Sequence, residues 1–411
     1  MPNPVTGHQT WIGAKKETTF GVAATPVTIF PGTAAFTSTA ANAEVPRDNG
    51  KMRYGQSLSP ASQFTDSIAM SPTPDPDTLF PFLAWAFGAQ SATSGAVYAT
   101  TALTGPVVAG AGATLPVTAG TGTRFTNGDS IQVGFGTANV ETVTITGVSA
   151  NSLTATTTKN HASADLVQGL SATAFQSVLS YGATLPSFTI EEYRYADALD
   201  HLGCTVDSLK LTGNPGSLLK VDLGIKAASL QINASPATPS FSNVMPFHID
   251  TATPTQVLYK GVALPAGTIL KGWDVALANS LETTYIGVGS RYAAAFPVGQ
   301  RKGAVNAKLS WVTNALYQDF LGAVGATSPQ STIAGLQLAI PVASPSYADA
   351  TRLVPYQLIV NLPNIYPKGN VVANKQYGSL EQAFSGSANE TVAGMNNDLS
   401  LTIVGTVASA Y

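Results

Sequence analysis

Few residues in this 411-residue chain could do chemistry, and they are scattered. Its four histidines, His8, His161, His201 and His248, stand in unrelated contexts, without the paired spacing that turns two imidazoles toward one metal ion. Each reads as a surface histidine or one satisfied within the fold. Cys204, the single cysteine, sits in an alternating stretch beside Val206, which suits a packed thiol better than a nucleophile. Asp75 and Asp77 could form an acidic pair for a metal, but they precede an apolar run, where carboxylates cap a helix. Glu191 and Glu192 could serve as acid and base, yet adjacent strand residues point to opposite faces and cannot share one site. Arg47, Lys51 and Arg53, and later Arg291, Arg301 and Lys302, could hold phosphate. They are too few and too far apart in sequence for a patch, and read instead as salt contacts between copies of the chain. There is no complete Gly-x-Gly-x-x-Gly, no Gly-x-Ser-x-Gly elbow and no P-loop. No catalytic, cofactor-binding or metal-ligating residue is expected, and no enzyme.

Composition narrows the class. Hydrophobic residues make up 44% of the chain and charged residues only 10%, against roughly 25% in an ordinary soluble domain. So thinly charged a surface is expected to lie largely against copies of itself. The net charge of −3 and the absence of a basic run argue against phosphate-driven nucleic-acid affinity. A lone cysteine excludes an intrachain disulfide and fits a reducing assembly compartment. The first residues lack an apolar core and a basic leader, and the longest apolar run, Leu79 to Phe87, is too short to span a bilayer. A soluble product without a classical export signal is expected, so the sequons at Asn233 and Asn389 carry little meaning.

The stretch Asp75 to Gly88 organises the elements around it. Leu79, Phe80, Leu83, Ala86 and Phe87 fall at helical spacing, Pro76 suits the first helical position, and Gly88 supplies the stop. A helix of about three turns is expected to plug the open face of a β-sheet, with Pro81 requiring a late first turn. Elsewhere the pattern is β. Trp11 to Phe36 is β-like, broken by Gly21, Pro26, Pro31 and Gly32, and Gln63 to Met70 alternates, with a polar loop or hairpin at 40–56 between them. Residues 104–169 are rich in Gly and Thr, with a turn at Asn127-Gly128-Asp129 and alternation at Ile131, Val133 and Phe135. They read as an inserted small β module of roughly 65 residues, hinged at Val108 to Gly112. Leu185 to Glu192, Cys204 to Leu211 and Ser217 to Ala228 are further strands. From Lys271 the same order recurs: strands at Gly272 to Leu277 and Ala304 to Trp311, then a helix at Thr313 to Val324 stopped by Gly325. Strands at Gly335 to Val342 and Val354 to Leu362, a turn at Pro367-Lys368-Gly369 and final strands to Val407 follow. Tyr195-Ala196-Asp197-Ala198 and Tyr347-Ala348-Asp349-Ala350 fall in equivalent loops, which makes an internal duplication a reading to test.

In the order of its motifs the chain resembles the major tail tube proteins of long, non-contractile-tailed bacteriophages, the siphophages. The resemblance rests on Trp11-Ile12-Gly13 leading to Lys16-Glu17-Thr18-Thr19-Phe20-Gly21, and on Leu58-Ser59-Pro60 leading to Asp77-Thr78-Leu79 and the aromatic helix. Leu185 to Glu192 with Gly203 to Leu209 resembles the family's central hairpin, and Ala278 to Glu282, Ser290-Arg291-Tyr292 and Gly299-Gln300-Arg301 its later strands. It covers nearly the whole chain apart from the insert, and no single motif carries it alone.

The resemblance implies a mainly β protein with two tail-tube-type β-sandwich or half-barrel domains, each with one short flanking helix, plus the small all-β insert. The first domain would be discontinuous, 1–103 and 170–235, around the insert at 104–169; the second would be 236–411. Without the insert the chain divides into two units of about 173 residues, an ordinary domain size. It further implies a structural virion protein that self-assembles into stacked rings of six tube domains, a conduit for genome ejection. A homotrimer of duplicated subunits is favoured over a homohexamer. Tape measure protein and other tail proteins would be partners, phage DNA would pass through the lumen without specific binding, no membrane would be involved, and assembly would take place in the host bacterial cytoplasm. The insert would project outward. A cell-surface adhesin or carbohydrate-binding β protein is the alternative, and a capsid or decoration protein a third reading.

Overall fold

The computed structural model describes residues 10–25, 28–30, 32–42, 46–48, 54–56, 61–91, 93–194, 197–233, 235–238, 242–251, 256–264, 267–310, 317–318, 321, 325–328, 330, 336–373, 381–388 and 399–409. The chain opens with β1 (Trp11–Lys16), β2 (Thr28–Phe30) and β3 (Gly32–Asn42), then a separate hairpin of β4 (Pro46–Asp48) and β5 (Tyr54–Gln56). β6 (Ala61–Pro72) runs into α1 (Pro76–Phe87). β7 (Gly88–Gln90), β8 (Ser94–Ala102), β9 (Gly110–Pro116), β10 (Ser130–Phe135), β11 (Glu141–Ser149), β12 (Ser152–Thr157) and β13 (Leu166–Tyr181) come next. β14 (Phe188–Tyr193), β15 (Ala198–Gly213), β16 (Lys220–Ala227) and β17 (Ser229–Asn233) complete the first half. The second comprises β18 (Leu258–Tyr259), β19 (Val262–Ala263), β20 (Leu270–Ala278), β21 (Lys302–Ser310), β22 (Leu336–Asp349), β23 (Val354–Ala373), β24 (Glu381–Ala388) and β25 (Ser400–Gly405). The protein is mainly β, and its named strand pairs are antiparallel.

Two sets of strands share one topology. In the first, the β1–β2 hairpin pairs with β14, β14 with the N-terminal part of β15, and that part with β17. In the second, the β18–β19 hairpin pairs with β22, β22 with the N-terminal part of β23, and that part with β25. The C-terminal parts of the two long strands leave for another layer. There the order is β3–β6–β16–β15 in the first set and β20–β21–β24–β23 in the second. A turn at 350–353 joins β22 to β23; Tyr347-Ala348-Asp349 lies in the end of β22 and not in the expected loop, while Tyr195 and Ala196 of the other Tyr-Ala-Asp-Ala segment lie outside the described residues. The quartets are joined by β15 against β20, from Ser208↔Ala278 to Gly213↔Trp273, so eight strands form one front layer.

One apolar core lies between this front layer and the back strands, with Leu211, Leu223, Val275 and Val305 from one side and Phe188, Ile190, Leu358 and Leu401 from the other. Alternation along the front strands dictates that layering: β16 alternates buried with exposed or partly exposed residues throughout, and β21 alternates buried with exposed ones from Lys302 to Leu309. The β13–β25 pairing, Phe175↔Gly405 to Leu179↔Leu401, also ties the halves together.

α1 is more central than its sequence suggests. Instead of one apolar face against a sheet, ten of its twelve residues are buried, and Trp85 stacks on Phe188 at 4.4 Å between ring centroids. A helix apolar all round must be enclosed all round. Pro81 sits inside the helix although the first turn begins at Pro76; enclosure supplies the stability that the missing N–H takes away. The second expected helix, at Thr313 to Val324, lies for the most part outside the described residues.

Strands 9 to 12 bury a core of their own around Leu115, Phe125, Ile131, Ile145 and Leu153. Val108 to Gly112 is no hinge: Val107 is in that core, and Gly110 already belongs to β9. The join to the body is the β8–β13 ladder, which begins at Ala102↔Leu166. Phe135 is exposed, since a bulge at Gly134 (φ 74°) breaks the alternation after Val133. Likewise Pro367-Lys368-Gly369 makes a bulge within β23, not the expected turn.

Candidate functional site: a strand-edged front sheet

The front layer presents a continuous outer face. Each register pair places like-facing residues side by side: Ala35, Ala69, Gly224, Ser208, Ala278 and Lys302 share one row across six strands. The next row holds Lys210 between Asp222 and Ala276, then Ala304 and Ser387. Between its lysines the face, in the described side chains, is mostly Ala, Gly, Ser and Thr, with Asp222, Asp274 and Asn306. Near Trp273 it dips into a cleft of about 330 Å³ bordered by Thr212, Asn214, Asp274, Asn306 and Lys308.

Both ends of the layer are edges. Among the described residues β3 pairs only with β6, and β23 beyond Ile365 pairs only with β24. β3 is eleven residues long, and its sequence GTAAFTSTAAN contains neither charge nor proline. Such an edge lacks the charges and prolines that commonly guard against pairing with another chain, and its ladder is irregular only near its end, between Ala40 and Asn42.

The residues singled out from sequence serve the core behind this face. Asp75 precedes α1 but its carboxylate makes no cap hydrogen bond; the side chain is buried, bonded to Ser242, and one oxygen has no partner. Burial, with Asp77 adding repulsion, raises its pKa to about 6. Asp77 accepts hydrogen bonds from Tyr356 Oη (3.1 Å) and Thr406 Oγ1 (2.9 Å), tying the first half's helix to the second half. At the other end Arg301 donates to the Phe87 carbonyl (3.2 Å), and Asn279 Nδ2 donates to the Ala86 and Val206 carbonyls. Gly88, at φ 87°, donates its N–H to the Ala84 carbonyl. The last carbonyls of α1 are thus satisfied from both halves, with a cation at the negative end of the helix. Arg301, which the sequence suggested for contacts between copies, is engaged here within the chain. The side chains of Arg47, Lys51 and Arg53 lie outside the described residues.

Glu191 and Glu192 do part to opposite sides. Glu191 is buried with Asp200, the pair bridged by Asn233 Nδ2 at 3.2 Å from each; burial and Asp200 push its pKa up despite the Ala237 amide and Asn233. Glu192 is held below its usual range, its hydrogen bonds with His201 and Arg194 outweighing burial. His201 is buried, stacked on Phe36, and hydrogen-bonded through Nδ1 to Asp66. Burial favours the neutral ring, but Asp66 and Glu192 outweigh it and raise its pKa. His161 lies in the second core, its Nε2 2.8 Å from Glu141. Cys204 is fully buried, its thiol donating to the His201 carbonyl, and burial raises its pKa. Among the described residues no three His, Cys, Asp or Glu side chains are placed to hold a metal ion. Nor is any helix there long and apolar enough to cross a membrane.

The residues that sequence reasoning missed are the front-face lysines Lys210, Lys220, Lys226 and Lys308, together with the two sheet edges; Lys302, which it did single out, stands on the same face. The lysines form no run; alternation within each strand was the only signal for them. No known protein-family model matches the chain, and no curated protein matches it either.

Proposed function

We propose that this chain is the structural subunit of a tube, built as in the siphophage tail tubes that its sequence resembles, and that it belongs to a virion as the conduit for genome ejection. The observation carrying the reading is the β15–β20 junction. There the last strand of one quartet pairs with the first strand of the next, inside a single chain. The unpaired partners of that junction are the C-terminal part of β23 and the edge of β3. Joining β23 of one copy to β3 of the next repeats the internal junction between molecules, a head-to-tail contact that closes into a ring. The two topologically alike units are tail-tube domains in this reading, and the insert is an outward appendage. Three chains supply six units and a barrel of 24 front strands. At about 4.8 Å between strands and a tilt of about 40°, its backbone would be roughly 45–50 Å across, wide enough for a nucleic-acid duplex. Rings would stack, with tape measure protein and other tail proteins completing the tail, after assembly in the host bacterial cytoplasm. No catalytic step is assigned to the chain.

Electron microscopy of the purified full-length protein, with and without its tail partners, tests this. Tubes or rings with threefold symmetry and a sixfold outline are expected. Sixfold symmetry of whole chains would replace the trimer with a hexamer, and closed shells or monomers under every condition would remove the tube reading. The front-face cleft is the observation that favours carbohydrate binding. Trp273 is only 5% exposed, which leaves little ring for a sugar to stack on.

A further inference from the structure

The front face is cationic in a chain that is not. Lys210, Lys220, Lys226, Lys302 and Lys308 all project from it, against Asp222 and Asp274. Among the described side chains, five lysines against two aspartates leave three positive charges on this face, while the whole chain carries −3. Both aspartates are already engaged: Asp222 with Lys220 (2.9 Å) and Ser71 (2.7 Å), Asp274 with Asn306 (2.9 Å) and Lys210 (3.8 Å). Lys226, Lys302 and Lys308 have no carboxylate within ion-pair distance among the described residues. Lys302 and Lys308 stand six residues apart on β21, roughly 20 Å, and Lys226 lies three strands from β21, roughly 14 Å across.

We infer that this face binds the phosphate backbone of nucleic acid, weakly and without regard to sequence. Its chemistry selects that partner over a protein surface. Protein interfaces are depleted in Lys, Ser and Ala and anchored by aromatic or large apolar side chains, and the outward positions named here offer none. Flexible ammonium groups over a flat ground of Ala, Gly, Ser and Thr suit a phosphodiester chain, whose charge repeats and whose bases need no pocket. The inference rests on the tube reading for placing the face toward the lumen, but not for its charge. It departs from the sequence-based expectation that net charge and the absence of a basic run exclude phosphate-driven affinity, and keeps the expectation of passage without specific binding: a few separated lysines hold a passing polyanion centred without fixing it.

The test uses the full-length, unassembled chain and a labelled random-sequence duplex, with fluorescence anisotropy over a salt series. Binding that falls with salt at a log–log slope of about −3 to −4.5, for three to five phosphates, is expected. K226A/K302A/K308A should flatten the slope by about 2.7, and A304K should steepen it by about 0.9. Changing the duplex sequence should alter nothing. No wild-type binding at low salt, or an unaltered slope in the triple variant, overturns the inference. Equal or tighter binding of polyglutamate with the same number of charges would also overturn it, assigning the face to an acidic protein. Tube formation is scored separately by microscopy: the triple variant is expected to assemble, and absence of tubes from wild type counts against the tube reading alone.

Discussion

At the scale of residues, the buried carboxylates and the histidine between them make the sharpest tests. Asp75 has its pKa raised to about 6 from 3.8, so between those values the folded chain holds a proton that the unfolded chain has released. Stability therefore falls as pH rises through that window, and above it the full penalty of a buried charge remains. Asp75→Asn keeps a partner for Ser242 and removes the charge. It should stabilise the protein by about 1–3 kcal/mol at pH 7.5 and less at pH 4.5. Thermal melts at the two pH values check this, and an equal gain at both would contradict it. His201 works in the opposite sense. Its raised pKa means that its contribution is complete below the ordinary histidine value and is lost as pH rises through the elevated one. His201→Leu strands Asp66 as a buried, unpaired charge and should cost about 3–5 kcal/mol in denaturant unfolding. Adding Asp66→Asn should recover much of the loss; no recovery would mean the ring matters by packing alone. Sequence reasoning could see that Glu191 and Glu192 part company, because that follows from strand geometry. It could not pair Asp66 with His201 or Asp77 with Thr406, because those meetings depend on which strands lie together.

At the scale of elements, α1 and the insert play opposite parts. Leu83 and Trp85 are enclosed from every side, so Leu83→Asp or Trp85→Asp buries a charge with no partner. Loss of cooperative unfolding is expected by calorimetry, not merely loss of assembly; normal melting would show that the helix is not core. Residues 103–165 hang on the β8–β13 ladder, whose end at Ala102↔Leu166 has hairpin geometry. Replacing them with Asn-Gly, a tight-turn pair, should close that ladder and leave the body's melting transition in place. Removing the insert also releases Arg352 from its contacts with Asp129 and Thr126, so a modest destabilisation is allowed and unfolding is not. Helix, turn and most strands were legible because their signals are local: spacing, a proline at the start, a glycine at the stop. The bulges at Gly134 and Pro367 were not, because a bulge and a turn use the same residues and only the partner strand decides between them.

At the scale of the molecule, the repeat was faintly legible in the order of elements, while of the charge pattern only Lys302 stood out. The five front-face lysines are dispersed from position 210 to 308, and only the pairing of β16, β15, β20 and β21 gathers them. The same pairing leads to the last prediction. If rings close through β23 against β3, a copy blocked at one edge still joins through the other and leaves the ring open. Proline at a β3 position whose N–H points away from β6, within Ala35 to Thr39, blocks that edge while sparing the internal ladder. Mixed with wild type before assembly, such a copy should poison closure in proportion to the number of chains per ring. With about one fifth of the chains blocked and random incorporation, about half of the rings escape if three chains close each ring, and about a quarter if six do. A copy blocked at both edges joins nothing and should only dilute. Counting closed rings by microscopy against the blocked fraction thus reads out edge pairing and copy number together. Equal potency of the two variants would show that β3 and β23 are not the joining edges, whatever shape the assembly takes.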